Sequence, residues 1–333
     1  LYISWGGIRA VVWTNVWQAV TFIAAGVATL IYLVMSVNGG FPAIVTTAFE
    51  AGKMKVFDWG PAFSAPDFWH QVLTNPNIWW LAILNGFFGS MAAFGTDHEL
   101  MQRLLTVETR QKSQRTTLAT PFVGLGVLMF FLLIGSGLWV FYQQNPGASL
   151  PAKADDIFPH FANFQMPALL RGLVLSAVIM ASIDSPLGSL TASFVNDIYR
   201  PLLKPGRDDR HYMRVARTMV VIFGVILAVL AYMFSFLSGF LWWAFKIGGV
   251  TFGSLLGVFL LGLFTKRHAN LSNIVGMVTM ALVNLTLLIL TEKGIFVVGW
   301  TWLVIMGTFG TMAISAVLAP IMDGKRREPD GNS

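Results

Sequence analysis

The 333-residue sequence contains no cysteine and few charged residues. Without cysteine the chain has no disulfide framework, and nothing in it marks a redox compartment. Asp, Glu, Lys and Arg make up 11% of the residues, against about 25% in an ordinary soluble domain. The chain begins LYISWGGIRA, which lacks an initiator methionine and the charged start and cleavage site of a signal peptide. We therefore expect a fragment or a processed form of a longer protein.

Hydrophobic residues make up 55% of the sequence and arrive in blocks of about twenty. Because a bilayer core requires about 20 apolar residues per helix, the blocks predict an all-α polytopic membrane protein with about eight transmembrane helices. The segments 37–76 and 144–166 are more polar, and we expect them to form structured extramembrane loops. The predicted spans lie at about residues 8–36, 77–101, 117–143, 167–193, 212–235, 238–265, 269–291 and 296–322.

Basic residues are distributed unevenly between the two sides of these spans. The positive-inside rule places the more basic side, and with it both ends of the chain, in the cytoplasm. The net charge of +6 then reflects topology and contact with anionic lipid headgroups, so it requires no nucleic-acid partner. That side collects 16 of the 22 Lys and Arg residues, namely Arg9, Arg103, Arg110, Lys112, Arg115, Arg200, Lys204, Arg207, Arg210, Arg214, Arg217, Lys266, Arg267, Lys325, Arg326 and Arg327.

The fourth span contains an unusually polar stretch, ASIDSPLGSLTASF, at residues 181–194. A carboxylate at this depth costs about 2.5–3.5 kcal/mol on insertion scales, so Asp184 requires a cation or a donor. Pro186 lacks an N–H and leaves the carbonyl of Ser182 free. Ser182, Asp184 and Ser185 would then supply hard oxygen ligands within one turn, the type that alkali ions prefer. The alternative is a structural kink, with Asp184 paired to a basic side chain.

Two other spans contain glycines that weaken a helix. The second span has Gly86 and Gly89, so its middle could unwind, and the sixth has Gly248 and Gly249 beside the intramembrane Lys246. Interrupted helices near the midplane hold ions and substrates in secondary transporters. Small residues also serve ordinary helix packing, and both interpretations stay open. The charge of Lys246 within a span indicates either an anionic ligand or an ion pair with Asp184.

The segment DHELMQR (97–103) partly matches the HExxH zinc helix. The position four residues after His98 is Gln102, and no second ligand is present, so we reject a metalloprotease. Since no nucleophile with a base or a set of metal ligands is visible elsewhere, we do not expect an enzyme.

Four segments resemble motifs of the sodium/solute symporter family, which includes sodium-coupled sugar, sialic acid, proline and pantothenate transporters. GGIRAVVWTNVWQ (6–18) is similar to the family's GG-x-x-AV-x-WTD-x-x-Q segment, and GTDHELMQRLLT (95–106) to its TDQ-x-x-x-QR-x-L motif. MASIDSPLGSLTASFVNDIYRP (180–201) is similar to M-S-S-x-D-S-x-L-N-S…D-x-Y, and GSLLGVFLLGLFTKR (253–267) to the segment that closes the tenth core helix. The four segments occur in the family's order over nearly the whole chain.

The resemblance implies a partial inverted-repeat, leucine-transporter-like symporter fold. Residues 1–333 would form a single transmembrane transporter domain, with core helices five to ten at about 8–265, two peripheral helices at about 269–322 and a cytoplasmic tail at 323–333. Core helices one to four would precede Leu1, so the chain should be only part of a working transporter. In the family, core helix one supplies backbone ligands to the sodium site and part of the substrate pocket.

The resemblance also implies which residues bind the co-transported ion, Na+. The family's sodium site uses two adjacent hydroxyl residues on core helix eight, which match Ala181 and Ser182, so one side-chain ligand is missing here. A second sodium site in some members uses an aspartate on core helix five together with the positions of Asp184 and Ser185. The helix-five position is Asn15 in this sequence.

Core helix six lines the pocket of the family's sugar transporters from positions that match Ser90, Ala93 and Phe94. Those transporters carry a bulky tyrosine gate at the position of Ala93. A small residue there implies a different or larger substrate, or a gate supplied elsewhere. Lys246 is a further candidate for substrate binding, through an anionic group.

The sequence thus predicts a secondary active transporter that couples inward sodium flow to uptake of a small polar solute by alternating access. Sugar, sialic acid, amino acid or carboxylate substrates all fit the resemblance. We expect an integral protein of the bacterial inner membrane, with the lipid bilayer and the solute as its partners. The helix at FPHF (158–161) either covers the substrate entrance or lies on the surface. The alternative function is a membrane solute sensor on the same fold that does not transport.

Overall fold

The computed structural model describes residues 2–96, 104, 107–182, 186–265 and 271–323. Helices dominate the described residues, where a single isolated β-bridge joins Asp58 to Ile78. A 3₁₀ turn (Ala154–Asp156) precedes α6 and a π-helical segment (Phe194–Leu203) follows α8. The α-helices are α1 (Tyr2–Ser36), α2 (Gly40–Glu50), α3 (Phe68–Thr74), α4 (Trp79–Thr96), α5 (Arg110–Gln144), α6 (Ile157–Phe164), α7 (Ala168–Ser182), α8 (Pro186–Ser193), α9 (Asp209–Phe234), α10 (Phe240–Phe264), α11 (Leu271–Glu292) and α12 (Thr301–Met322).

All eight predicted spans correspond to helices. Six helices of the described chain are long and apolar enough to cross a membrane: residues Trp13–Ser36 of α1, and α5, α9, α10, α11 and α12. The second predicted span is α4, which at 18 residues is shorter than these six. The fourth predicted span is divided between α7 and α8. The predicted loops contain α2, α3 and α6, which confirms that they are structured.

The chain forms two compact units. Unit 1 consists of Leu1–Lys55 and Glu108–Gly239, and unit 2 of Val56–Val107 and Phe240–Ser333. Unit 1 therefore holds α1, α2 and α5 to α9, and unit 2 holds α3, α4 and α10 to α12.

The core of unit 1 includes residues from both membrane-length helices and loop helices. Leu33 of α1 and Ile44 of α2 are fully buried in it. Phe161 of α6 is also fully buried, and its ring centroid lies 5.0 Å from that of Phe141 on α5 and 6.0 Å from that of Tyr32 on α1. The predicted helix at FPHF is thus confirmed as α6. It is anchored in the core by Phe161, so it is more than a plain surface helix.

In unit 2, α10 and α12 approach so closely that their backbones touch. A Cβ at Gly253 would lie 2.5 Å from the Val304 carbonyl oxygen, and one at Gly257 would lie 2.6 Å from the Thr308 carbonyl oxygen. Gly253 and Gly257 are spaced four residues apart and so occupy one face of α10. The packing interpretation of small residues is therefore correct for this face of α10.

Helix α11 completes this packing with a buried amide. Asn284 is fully buried and its Nδ2 donates to the carbonyl of Leu303 at 2.9 Å. The same Nδ2 would lie 2.8 Å from a Cβ at Gly307 of α12. Glycine at 307 therefore leaves room for the amide, and the hydrogen bond joins α11 to α12 where α12 meets α10.

We expect Gly253→Leu to lower the free energy of unfolding by about 2–3 kcal/mol. The leucine side chain would clash with backbone atoms of α12, which cannot move aside as a flexible side chain can. The measurement is thermal or denaturant unfolding of the purified protein in detergent. Gly262→Leu is the matched control, since a Cβ at Gly262 of α10 has no atom within 4 Å. Equal stability of the two variants would contradict the packing described here.

Candidate functional site

In unit 1, helix α1 lies directly beside the C-terminal end of α7. The side-chain Nε2 of Gln18 donates to the backbone carbonyl of Met180 at 2.8 Å. Met180 is two residues before the last residue of α7, Ser182, and α8 begins at Pro186. The hydrogen bond therefore places α1 next to the end of α7, where the polar stretch that the sequence predicts as either a cation site or a structural kink begins.

The residues predicted to hold sodium are placed as follows. Asn15 is half-buried on α1, three residues and so about one turn before Gln18. Ala181 is exposed at the end of α7, directly after Met180. The backbone of Ser182 closes α7, while Asp184 and Ser185 lie outside the described residues. Asn15 and Ala181 thus belong to neighbouring segments of two packed helices.

This arrangement brings several oxygen groups of two helices into one neighbourhood. Asn15 can offer an amide oxygen from α1, and the end of α7 can offer backbone carbonyls. Such neutral oxygens suit a monovalent cation when a nearby carboxylate compensates its charge. Among described residues there is no cluster of three or more His, Cys, Asp or Glu that could hold a metal ion. Oxygen groups of this kind are the ligands that the predicted sodium site requires.

In unit 2, one face of α4 packs against α10 and α12. Ala92 is fully buried against Leu256 and Leu260 of α10. The ring of Phe88 makes an edge contact with Phe309 of α12, at 5.4 Å between centroids. Helix α4 therefore packs against α10 and α12 through this face.

The three residues predicted to line a substrate pocket occupy another face of α4. Ser90, Ala93 and Phe94 have the spacing i, i+3 and i+4, which places them together on a helix surface. Ser90 and Phe94 each lie two residues from Ala92 along the helix and so point away from the packed face. Ser90 is exposed, and Ala93 and Phe94 are half-buried. The structure leaves this face of α4 available for contact outside the packing of unit 2.

Two glycines of α4, Gly86 and Gly89, also lie away from close contacts. Built Cβ atoms at Gly86 and Gly89 have no described atom within 4 Å, so neither glycine serves close packing in the described chain. The helix is continuous from Trp79 to Thr96, so at Gly86 and Gly89 the structure shows neither of the two interpretations left open, an unwound middle or close packing. Backbone hydrogen bonding along the helix is maintained despite the weak local propensity.

Lys246 has an acidic partner that sequence reasoning did not identify. Its Nζ lies 2.5 Å from Oε1 of Glu292 at the end of α11 and 4.9 Å from the ring centroid of Trp243. The side chains of Lys246 and Glu292 are 22% and 33% exposed, so solvent only partly screens the pair. Glu292 compensates the charge of Lys246 within unit 2. Helix α10 continues through Gly248 and Gly249, and a Cβ at Gly249 would lie 3.2 Å from Cβ of Leu303, which favours the packing interpretation over an interruption.

Sequence reasoning missed both Gln18 and Glu292. Gln18 is the last residue of the segment GGIRAVVWTNVWQ, and its spacing from Asn15 could have identified it as part of the same face. Glu292 lies one residue beyond the predicted span 269–291, and no local pattern connects it to Lys246.

Comparison with known proteins gives a consistent picture. The model of the sodium:solute symporter family matches residues 1–279. The chain is 30% identical over 330 residues to the sodium/sialic acid symporter SiaT of Proteus mirabilis (strain HI4320), covering 96% of this chain and 63% of that protein. It is 28% identical over 299 residues to the sodium/glucose cotransporter of Vibrio parahaemolyticus, covering 84% of this chain and 53% of that protein.

A solved structure shows the same fold. It is a Na+-coupled sialic acid symporter in a substrate-bound outward-open state, and it matches with a TM-score of 0.74 and 27% sequence identity. The match covers 95% of this chain and 63% of that one, which confirms the predicted leucine-transporter-like symporter fold. The chain thus spans less than two thirds of the length of both sialic acid symporters.

Proposed function

Because this chain belongs to the sodium:solute symporter family, we propose that it acts in a secondary active transporter. The transporter couples inward sodium flow to the uptake of a small polar organic solute, and it works by alternating access. The family is one of transporters and not of enzymes. Residues 1–333 contribute a single transporter domain to this activity, with both described units taking part.

The proposal of sodium coupling is supported by the hydrogen bond from Gln18 to the Met180 carbonyl. It fixes α1 beside the end of α7, where the family's sodium ligands match Ala181 and Ser182. Asn15 lies on the same helix as Gln18, and Asp184 follows Met180 by four residues. We assign the cation site to these two segments, with Asp184 and Ser185 as further ligands.

The substrate is assigned to the available face of α4 that carries Ser90, Ala93 and Phe94. Sialic acid is the first substrate to test, because two relatives and the matching structure are sialic acid symporters by name. Lys246 was a candidate for binding the carboxylate of such a substrate. The ion pair with Glu292 makes Lys246 a weaker candidate than the α4 face. The protein resides in the bacterial inner membrane, with both ends of the chain in the cytoplasm.

The test is uptake of labelled sialic acid into proteoliposomes that contain the full-length protein. An inward sodium gradient should drive accumulation above the external concentration, whereas an inward potassium gradient should give none. Glucose and a monocarboxylate serve as competitors, since other relatives are named for these substrates. Saturable binding of the solute without accumulation under any cation gradient would contradict transport.

A further inference from the structure

Unit 1 contains a cavity of about 510 Å³ between the last turns of α5 and the chain that leads into α6. Gly135, Leu138 and Trp139 of α5 line one wall. Leu150, Ile157 and Phe158 line the other. Its volume lies within the range of about 300–1,000 Å³ that is typical of small-molecule sites. The cavity lies apart from Asn15 and Ser182, and it belongs to one compact unit.

The lining of this cavity suits a hydrocarbon chain and does not suit a polyhydroxylated solute. Among the described residues that line it, only Trp139, Tyr142 and Gln143 have side chains with a polar group. The Tyr142 hydroxyl is already hydrogen-bonded to Nδ1 of His160, at 3.1 Å. Most hydroxyls of a sugar would lose their water partners here without gaining replacements, which is unfavourable. An apolar chain would instead gain from leaving water.

A cation lies at the wall of the cavity. Nζ of Lys53, in the turn that follows α2, lies 5.7 Å from the ring centroid of Trp139, which lines the cavity. Lys53 is exposed, and it forms no ion pair with any residue that the structure describes. An anionic group bound here would meet both this ammonium and a cavity for its apolar part. The charge therefore favours an anionic amphiphile over a neutral one.

The position of the cavity along α5 matches that of a lipid chain. Helix α5 is a candidate membrane span that ends at Gln144, and the segment after it is polar. The lining residues from Gly135 to Gln143 cover about 12 Å of helix, close to the roughly 15 Å depth of one leaflet. Trp139 and Tyr142 have the amphipathic rings that concentrate at the membrane boundary. The cavity thus extends from that boundary into the apolar part of the span.

We propose that this cavity binds one acyl chain of an anionic glycerophospholipid of the surrounding bilayer, with its phosphate held at Lys53. The lipid would fill the space between α5 and the segment that leads into α6. This site is independent of the proposed transport function, and its occupancy can be measured without transport.

The test is a titration of the purified full-length protein in detergent, with thermal unfolding as the readout, because a ligand of the folded state raises Tm with concentration. The probes are phosphatidylglycerol, phosphatidylcholine with the same acyl chains, and oleate. Gly135→Leu fills the cavity, and a Cβ at this position has no atom within 4 Å. Gly126→Leu is its matched control, since Gly126 lies on α5 with equal space and does not line the cavity. Lys53→Gln is paired with Lys55→Gln.

We expect phosphatidylglycerol to stabilise the wild type, Gly126→Leu and Lys55→Gln alike. Gly135→Leu should raise the apparent Kd for this lipid at least about tenfold, and Lys53→Gln should remove its preference over phosphatidylcholine. Equal titrations of Gly135→Leu and Gly126→Leu would overturn the proposal. Equal affinity of wild type for the two phospholipids would also overturn it, and tighter binding of oleate would replace the phospholipid by a free fatty acid as the occupant.

Discussion

Ala93→Trp in the full-length protein should reduce solute uptake by roughly 100-fold while leaving membrane insertion and folding intact. The indole would extend from the face of α4 that carries Ser90 and Phe94, which unit 2 does not use for packing. Overfilling a site by this volume costs about 3 kcal/mol, which corresponds to roughly a 100-fold loss in binding. Sodium-driven uptake in proteoliposomes, normalised to reconstituted protein, is the measurement.

Ala92→Trp provides the contrast, because Ala92 is fully buried against Leu256 and Leu260. The same side chain placed one residue earlier should lower thermal stability and the yield of folded protein. If Ala93→Trp keeps wild-type uptake kinetics, this face of α4 does not contact the substrate. If it instead unfolds as Ala92→Trp does, the face is packed in the working protein.

Asp184→Asn should weaken the apparent affinity for sodium in uptake by roughly two orders of magnitude. A carboxylate at this depth requires compensation, and the proposed site offers it a cation. Removing a charge from such a site costs about 3 kcal/mol or more, equivalent to about 100-fold in binding. The measurement is the sodium concentration that gives half-maximal uptake. Asn15→Asp in the same background should partly restore it, by returning a carboxylate to the opposite helix.

Asp209→Asn is the matched control, because Asp209 is an exposed acidic residue in the first turn of α9. It should leave the sodium response unchanged. In the competing account, Asp184 forms an ion pair with Lys246. Asp184→Asn then destabilises the protein, and adding Lys246→Met to this variant restores its stability. The ion pair of Lys246 with Glu292 argues against that account. An unaltered sodium response in stable Asp184→Asn protein would rule out the cation role.

The helices were predictable because a bilayer imposes a length and an apolar composition on each span. The predicted span at 212–235 corresponds to α9 (Asp209–Phe234), and the span at 269–291 corresponds to α11 (Leu271–Glu292). The π-helical segment at Phe194–Leu203 was not predictable, since it differs from an α-helix in its hydrogen-bonding register and not in composition. The division into two units was also missed, because it depends on contacts between segments distant in sequence.

The proposed sites were predictable to different degrees. Ser90, Ala93 and Phe94 were indicated by resemblance, and their spacing places them on one helix face. Only the structure shows that this face differs from the one that packs against α10 and α12. The charge of Lys246 predicted either an anionic ligand or an ion pair with Asp184, whereas the structure pairs it with Glu292. Glu292 is 46 residues away in sequence, so only the fold brings the two together. The contact between Gln18 and Met180 likewise spans 162 residues.

The backbone contact between α10 and α12 has a mechanical consequence. Opposite Gly253 lies the Val304 carbonyl, and opposite Gly257 lies the Thr308 carbonyl, so no flexible side chain separates the helices at these points. A contact between backbones cannot be compressed, because no side chain is present at these points that could change its rotamer. Helix α10 therefore cannot tilt closer to α12 here. In the proposed transporter, movement of α10 towards α12 would displace α12 as well, so a helix outside the predicted core would become a moving part.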